Sequence, residues 1–143
     1  MIKDILLTPL KKVESDNGSV LHAMKNTDQG FSGFGEGYFS EIYFGKIKAW
    51  KRHKEMTLNL IVPVGKVKFV FLDNRDYKNN FQEVILSKDN YFRLTVPPMI
   101  WFGFQGLSEQ SSIILNLANL SYHDDEIDRK EFDQINYNWK EIQ

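Results

Sequence analysis

Gly45-Lys-Ile-Lys-Ala-Trp-Lys51-Arg-His53-Lys-Glu-Met-Thr-Leu-Asn-Leu-Ile-Val-Pro-Val-Gly65 is the stretch that decides the reading of this chain. Two glycines bracket two short runs rich in β-branched and apolar residues, the pattern of a pair of strands. Side chains alternate along a strand, so if Lys51 and His53 face inward, Ile47 and Ala49 do too. Lys46, Lys48, Trp50 and Arg52 then face outward, and the second run sends Leu58, Leu60 and Val62 inward. An amine and an imidazole would project side by side into the interior.

Further segments repeat the strand pattern. Residues 83–86, 91–96, 100–104 and 112–118, together with 57–72, are short, aromatic or β-branched, and separated by Gly, Pro, Asn or Asp. Turn signals fall at Pro63 to Gly65, Asp73 to Asn80, Lys88 to Asn90 and Pro97-Pro98, and none has the composition of an interdomain linker. Asp28 to Gly37, with four glycines among Phe31 and Phe34, reads as a loop between strands. After Tyr122 the acidic run through Glu131 precedes Phe132, Ile135, Tyr137 and Trp139. That pattern predicts a short amphipathic helix with a solvated acidic face, then an extended segment packed on the body.

The chain has 143 residues, which fits a single domain (1–143) burying roughly two-thirds of its unfolded surface. Eighteen basic and nineteen acidic residues leave a net charge of -1, so no overall field draws nucleic acid or an anionic membrane. Cysteine is absent, which excludes a thiol nucleophile, thiolate metal sites and a disulfide framework. The apolar run before Pro9 is too short for a signal-peptide core, and no run has the length of a membrane span. A cytoplasmic protein is the expectation.

The glycine-to-glycine spacing from Gly45 to Gly65 resembles the first cupin motif, in which His-x-His and a following Glu bind a metal. Here those slots hold Lys51, His53 and Leu58. Pro97-Pro98-Met99-Ile100-Trp101-Phe102-Gly103-Phe104-Gln105-Gly106 is similar to the second motif, with Met99 at its glycine and Phe102 at its fourth ligand. Lys is a poor ligand while charged and a benzyl ring is none, so a resident metal is not expected. The resemblance implies an all-β, cupin-like jelly-roll barrel with a short helical C-terminal element.

A closer resemblance follows from Gly37-Tyr38-Phe39-Ser40-Glu41, Gly45 through His53, Pro63-Val64-Gly65-Lys66-Val67 with Asp73-Asn74-Arg75, Leu86-Ser87 with Asn90, and Ile135-Asn136-Tyr137-Asn138-Trp139. Together these resemble the dTDP-4-dehydrorhamnose 3,5-epimerases across most of the chain. Lys51-Arg52-His53-Lys54 and Pro97 to Trp101 are similar to the related sugar-nucleotide 3,4-ketoisomerases. The resemblance implies a metal- and cofactor-free isomerase or epimerase acting on a 4-keto hexose carried by a nucleoside diphosphate, and a homodimer. It puts Lys51 at the epimerase base and Asn116 near the position of its proton-donating Tyr, with Tyr122 a few residues on. It implies no counterpart, before Gln143, of the C-terminal Asp that orients that base, and it places Glu36 at a phosphate-binding Arg.

The candidate catalytic residues are therefore Lys51, His53, Tyr122 and Asn116. Candidate substrate-binding residues are Phe39, Glu41, Lys68, Arg75, Arg93 and Phe102, the cations serving a diphosphate and the rings a sugar or base face. An unperturbed Lys is neutral in about one molecule in 2,500 at pH 7, so a basic role for Lys51 requires burial or neighbouring positive charge. The alternatives are a fixed cation holding a phosphate or carbonyl oxygen, or an ion pair with Glu41 or Glu55. Trp50, pointing outward, is expected at a subunit interface. Beside the enzyme stands a non-catalytic sugar-nucleotide or carbohydrate binder on the same barrel, and, third, a cupin with unconventional metal ligands.

Overall fold

The computed structural model describes residues 1–139. The chain forms strands β1 (Leu6–Pro9), β2 (Lys12–Val13), β3 (Val20–Leu21), β4 (Glu36–Ile42), β5 (Ile47–His53), β6 (Leu58–Val64), β7 (Lys66–Asp73), β8 (Asn80–Ser87), β9 (Phe92–Val96), β10 (Trp101–Gly106), β11 (Ser112–Ala118) and β12 (Ile127–Arg129). One antiparallel sheet runs β1-β9-β6-β11-β4 and the other β12-β5-β10-β7-β8, with β2 and β3 as a separate ribbon. Most neighbours in each sheet are distant in sequence, as in a jelly roll. The sheets face one another without closing into a complete barrel, so the β4 edge of one and the β5–β12 edge of the other leave a gap.

Period-two patterning decides which side chains meet between the sheets. Along β7, Val67, Phe69 and Phe71 join Leu58, Leu60, Val62, Leu94, Phe102, Phe104 and Ile114 in the central core. The turn from β6 into β7 uses Gly65 at φ 84°, where an added Cβ would lie 2.2 Å from the Ser112 hydroxyl oxygen. That close approach leaves room for no other residue. At the β9–β10 turn, Met99 adopts φ 69° in the slot that the cupin pattern gives to glycine, and its N–H donates to the His53 carbonyl at 2.7 Å.

A second core lies on the outside of the β5–β10–β7 sheet. Trp50, Val70, Leu72 and Trp101 are covered there by Ile135, Tyr137 and Trp139 of the chain's own C-terminal segment. The Trp50 indole N–H donates to the Phe132 carbonyl at 3.2 Å, and its ring lies 5.4 Å from that of Trp139. Trp50 does point outward, but its cover is intramolecular rather than a subunit interface. The predicted amphipathic helix is instead two single turns of 3-10 helix, Asp124–Glu126 and Phe132–Gln134, with β12 between them.

Strict alternation fails in β5, and the failure shapes the site. Phe102 stands opposite Lys51, but Gly103 stands opposite Ala49 and Phe104 opposite Lys48, so Trp50 is the extra residue of a β-bulge. Residues on the two sides of a bulge reverse their parity. Lys48 therefore shares the inward face of Phe104, while Ala49 packs with the outer cluster and Ile47 pairs with Gln105. The expected orientations of Ile47, Lys48 and Ala49 are overturned; those of Lys51 and His53 are not.

Candidate active site

β12 builds the first half of the site by adding to the edge of β5. Arg52 and Asp128 form an ion pair at 2.7 Å, the Lys54 N–H donates to the Glu126 carbonyl at 2.7 Å, and Ile127 stands opposite His53. This register delivers Glu126 to the imidazole. The Nδ1–H of His53 donates to one Glu126 carboxylate oxygen, and the other oxygen accepts the Glu55 and Met56 N–H groups at 3.2 Å each. His53 and Glu126 are both buried. Nε2 of His53 has no hydrogen-bond partner among the described residues, and its ring stacks on Phe102.

Burial lowers the His53 pKa more than the Glu126 hydrogen bond raises it, with the Lys51 and Arg129 charges adding to the lowering. Burial alone would raise the Glu126 pKa, but the His53 hydrogen bond and two backbone donors outweigh it and hold the carboxyl below its ordinary value. The pair is thus a neutral imidazole against a carboxylate. With Nδ1 protonated, Nε2 keeps its lone pair, the form needed of a general base.

Lys51 lies two positions before His53 on the same inward face. Its amine sits over the Phe102 ring, 5.5 Å from the centroid, and its pKa is lowered by burial first and then by the charges of Arg129 and Lys48. It lines two connected spaces. The outer one is a cleft of about 530 Å³ at the gap between the sheets, walled by Ser40, Lys48, Phe102, Phe104, Arg129 and Lys130 among others. The inner one, about 20 Å³, is bounded by Tyr38, Ser40, Leu58, Leu60, Phe69, Ile114 and Asn116. Between the sheets the interior is packed with apolar side chains, and the larger of the two spaces opens at the sheet gap.

Tyr38 and Asn116 face each other across β4 and β11, and the Asn116 amide donates to the Tyr38 hydroxyl at 2.8 Å. Burial raises the Tyr38 pKa, keeping the phenol protonated. Asn116 is thus inside, as expected of a site residue. Tyr122 is not: its half-exposed hydroxyl donates to Asp124 and accepts from Arg129 at 3.1 Å near the rim.

The substrate-binding candidates divide. Phe102 forms the floor beneath Lys51. Phe39 and Glu41 alternate with Tyr38, Ser40 and Ile42 and point away; Phe39 is 70% exposed, and Glu41 accepts from Ser111. Lys68 lies on the outer face of β7 with its amine 5.5 Å from the Trp139 ring. Arg75 is committed to Asp73 and Asp4 beside the N-terminus. Arg93, 0% exposed, bonds Asp28 and the carbonyls of Ala23 and Gln29, fastening the loop before β4. None of these five cations and outward groups lines the cleft. The cleft cations besides Lys51 are Lys48, which the bulge turns inward, and Arg129 of β12; Lys130 also lines the cleft, with its amine over the Trp101 ring of the outer cluster. Sequence reasoning missed Glu126, Arg129 and Tyr38; for Tyr38, alternation with buried Ile42 was the available signal.

No three His, Asp or Glu side chains converge as metal ligands among the described residues, and no helix among them is long and apolar enough to cross a membrane. The chain belongs to the FdtA family (WxcM-like, C-terminal), whose model matches residues 3–137. The dTDP sugar isomerase of Desulfovibrio desulfuricans G20 is 33% identical in sequence, with a TM-score of 0.89 over 92% of this chain and 87% of that one. QdtA, a sugar 3,4-ketoisomerase from Thermoanaerobacterium thermosaccharolyticum solved with TDP, shares the fold at 20% identity and a TM-score of 0.76, covering 91% of this chain and 90% of its own. The spore coat polysaccharide biosynthesis protein SpsL of Bacillus subtilis (strain 168) is 25% identical over 146 residues, 97% of each chain.

Proposed function

We propose that this protein is an epimerase or isomerase of a 4-keto sugar nucleotide in deoxysugar or surface-polysaccharide synthesis, acting through proton transfer by its own side chains. The observation that carries the reading is the buried His53 imidazole, oriented by Glu126 and stacked on the Phe102 ring that also lies under the Lys51 amine, with Lys51 and Phe102 lining a cleft rimmed with cations. Shifting a proton next to a ketone needs a base near neutral pKa, stabilisation of the developing enolate oxygen, and an acid that returns the proton. His53 supplies the base, Lys51 the positive charge at the carbonyl, and Tyr38, held by Asn116, the acid. Lys48, Arg129 and Lys130 hold the diphosphate at the mouth, with the hexose on Phe102.

The same reading makes the working unit a homodimer. Phe39, Tyr43 and Phe44 on and after the β4 edge are exposed rings, and an unpaired aromatic strand edge is the kind of surface that a second copy covers.

The test is solvent exchange. In deuterium oxide with a dTDP-4-keto-6-deoxyhexose, the protein incorporates deuterium at the carbon next to C4, and His53→Asn slows this by about 10²-fold or more. Tight binding with no exchange across a panel of keto sugars would leave a carbohydrate-binding protein instead.

A further inference from the structure

We propose that Lys51 is a covalent catalyst, its Nζ condensing with the C4 ketone of the bound sugar to form an iminium ion. The inference rests on the keto-sugar reading above and goes beyond charge stabilisation. Three features of the amine point to it. No carboxylate lies within ion-pair distance of it among the described residues, and its close neighbour is the face of Phe102. The inner space it borders is walled on one side by Leu58, Leu60, Phe69 and Ile114 and on the other by Tyr38 and Asn116, so the amine stands between a largely apolar interior and the cleft. Two cations, Lys48 and Arg129, share the cleft with it. Desolvation together with adjacent positive charge is the setting in which a lysine becomes a nucleophile toward carbonyls. The direction of its pKa agrees with that setting.

The division of labour among the cations supports the same conclusion. On the reading above the diphosphate falls to the cations at the mouth, and Lys51, which alone among the cleft cations also borders the inner space, is left to the sugar.

The steps balance. The neutral Lys51 nitrogen adds its lone pair to C4, the carbonyl π pair moves to oxygen, and one proton passes from the nitrogen to that oxygen, giving a carbinolamine. Protonation of its hydroxyl expels one water, and nitrogen keeps the positive charge as iminium. His53 Nε2 then removes the proton from the neighbouring carbon, and the C–H electron pair flows into the enamine. Reprotonation at carbon restores the iminium, and one water hydrolyses it to the ketone and the free amine. An iminium is a stronger electron sink than a neutral ketone, and no oxidant or reductant is consumed.

The experiment uses the full-length protein with dTDP-4-keto-6-deoxyglucose and sodium cyanoborohydride, read by intact mass and peptide mapping, beside deuterium exchange without reductant. The expected result is a secondary-amine adduct of the sugar nucleotide at Lys51, absent in Lys51→Arg of unchanged melting temperature, with exchange lowered at least 10²-fold in that variant. An adduct without exchange in the native protein also supports the iminium and places the fault at proton transfer. Exchange with no adduct, or exchange that survives Lys51→Arg, overturns the covalent step while leaving the keto-sugar reading intact. Neither exchange nor binding overturns both.

Discussion

The imidazole of His53 and the carboxylate of Glu126 are hydrogen-bonded to each other across 73 positions of sequence. The contact exists because β12 pairs with the edge of β5 and because the Glu55 and Met56 N–H groups fix the second carboxylate oxygen. Both ends of the pair are thereby restrained, and the tautomer with a lone pair on Nε2 is selected.

Replacing Glu126 separates orientation from stability. Glu126→Gln keeps the size and an acceptor oxygen but loses the charge; its exchange rate falls by about 10²-fold with a small change in melting temperature. Glu126→Ala strands an imidazole and the buried Met56 N–H and costs about 2–4 kcal/mol, read by urea unfolding.

The pH dependence follows from the directions of the two pKa values. Both the His53 and Glu126 values are lowered in the folded protein. The unfolded chain then binds more protons, and each group contributes stability that is complete above its ordinary pKa and lost as pH falls through the folded value. The contribution of this pair to unfolding free energy should be level above about pH 6.5 and decline below it, first through His53 and then through Glu126 near and below about pH 4.3. An NMR titration should place the His53 midpoint below about 6.5, and Arg129→Gln, which removes a repelling charge, should raise it.

The rim cations should act on binding. Lys48→Ala and Arg129→Ala should each weaken affinity for a nucleoside diphosphate by about tenfold, or about 1.4 kcal/mol, an effect that shrinks as salt rises. Calorimetry at two ionic strengths checks this. Lys68→Ala, on the far face of the sheet, should leave affinity unchanged.

Arg93 provides the opposite control. Its guanidinium is buried among Asp28 and two loop carbonyls. Arg93→Met should lower the melting temperature by leaving the Ala23 and Gln29 carbonyls without their buried donor and releasing the loop before β4. The folded fraction should keep its KM.

Much of this was legible in the chain. Turn residues and β-rich runs outline the strands, and the resemblance carried by Gly45 to Gly65 gives the jelly roll and the inward Lys51 and His53. What alternation cannot reveal is its own interruption: nothing local marks Trp50 as the extra residue that turns Lys48 toward the cleft, because a bulge is set by the partner strand. Glu126 was hidden for a related reason. It sits in a run of exposed acids, and only its pairing with a strand from the first half of the chain buries it. Phe39 and Glu41 were drawn from a family pattern, and their parity with Ile42 places them outside.

The C-terminal segment lies on the outer sheet through Ile135, Tyr137 and Trp139, and the same stretch of chain carries Glu126, Arg129 and Lys130. The tail thus completes the edge of one sheet and adds Glu126 and Arg129 to a site whose Lys48, Lys51 and His53 come from β5. Exchanging the tail from His123 onward between relatives should therefore change the proton-transfer rate and the phosphate affinity together, because Glu126 and Arg129 travel in one piece.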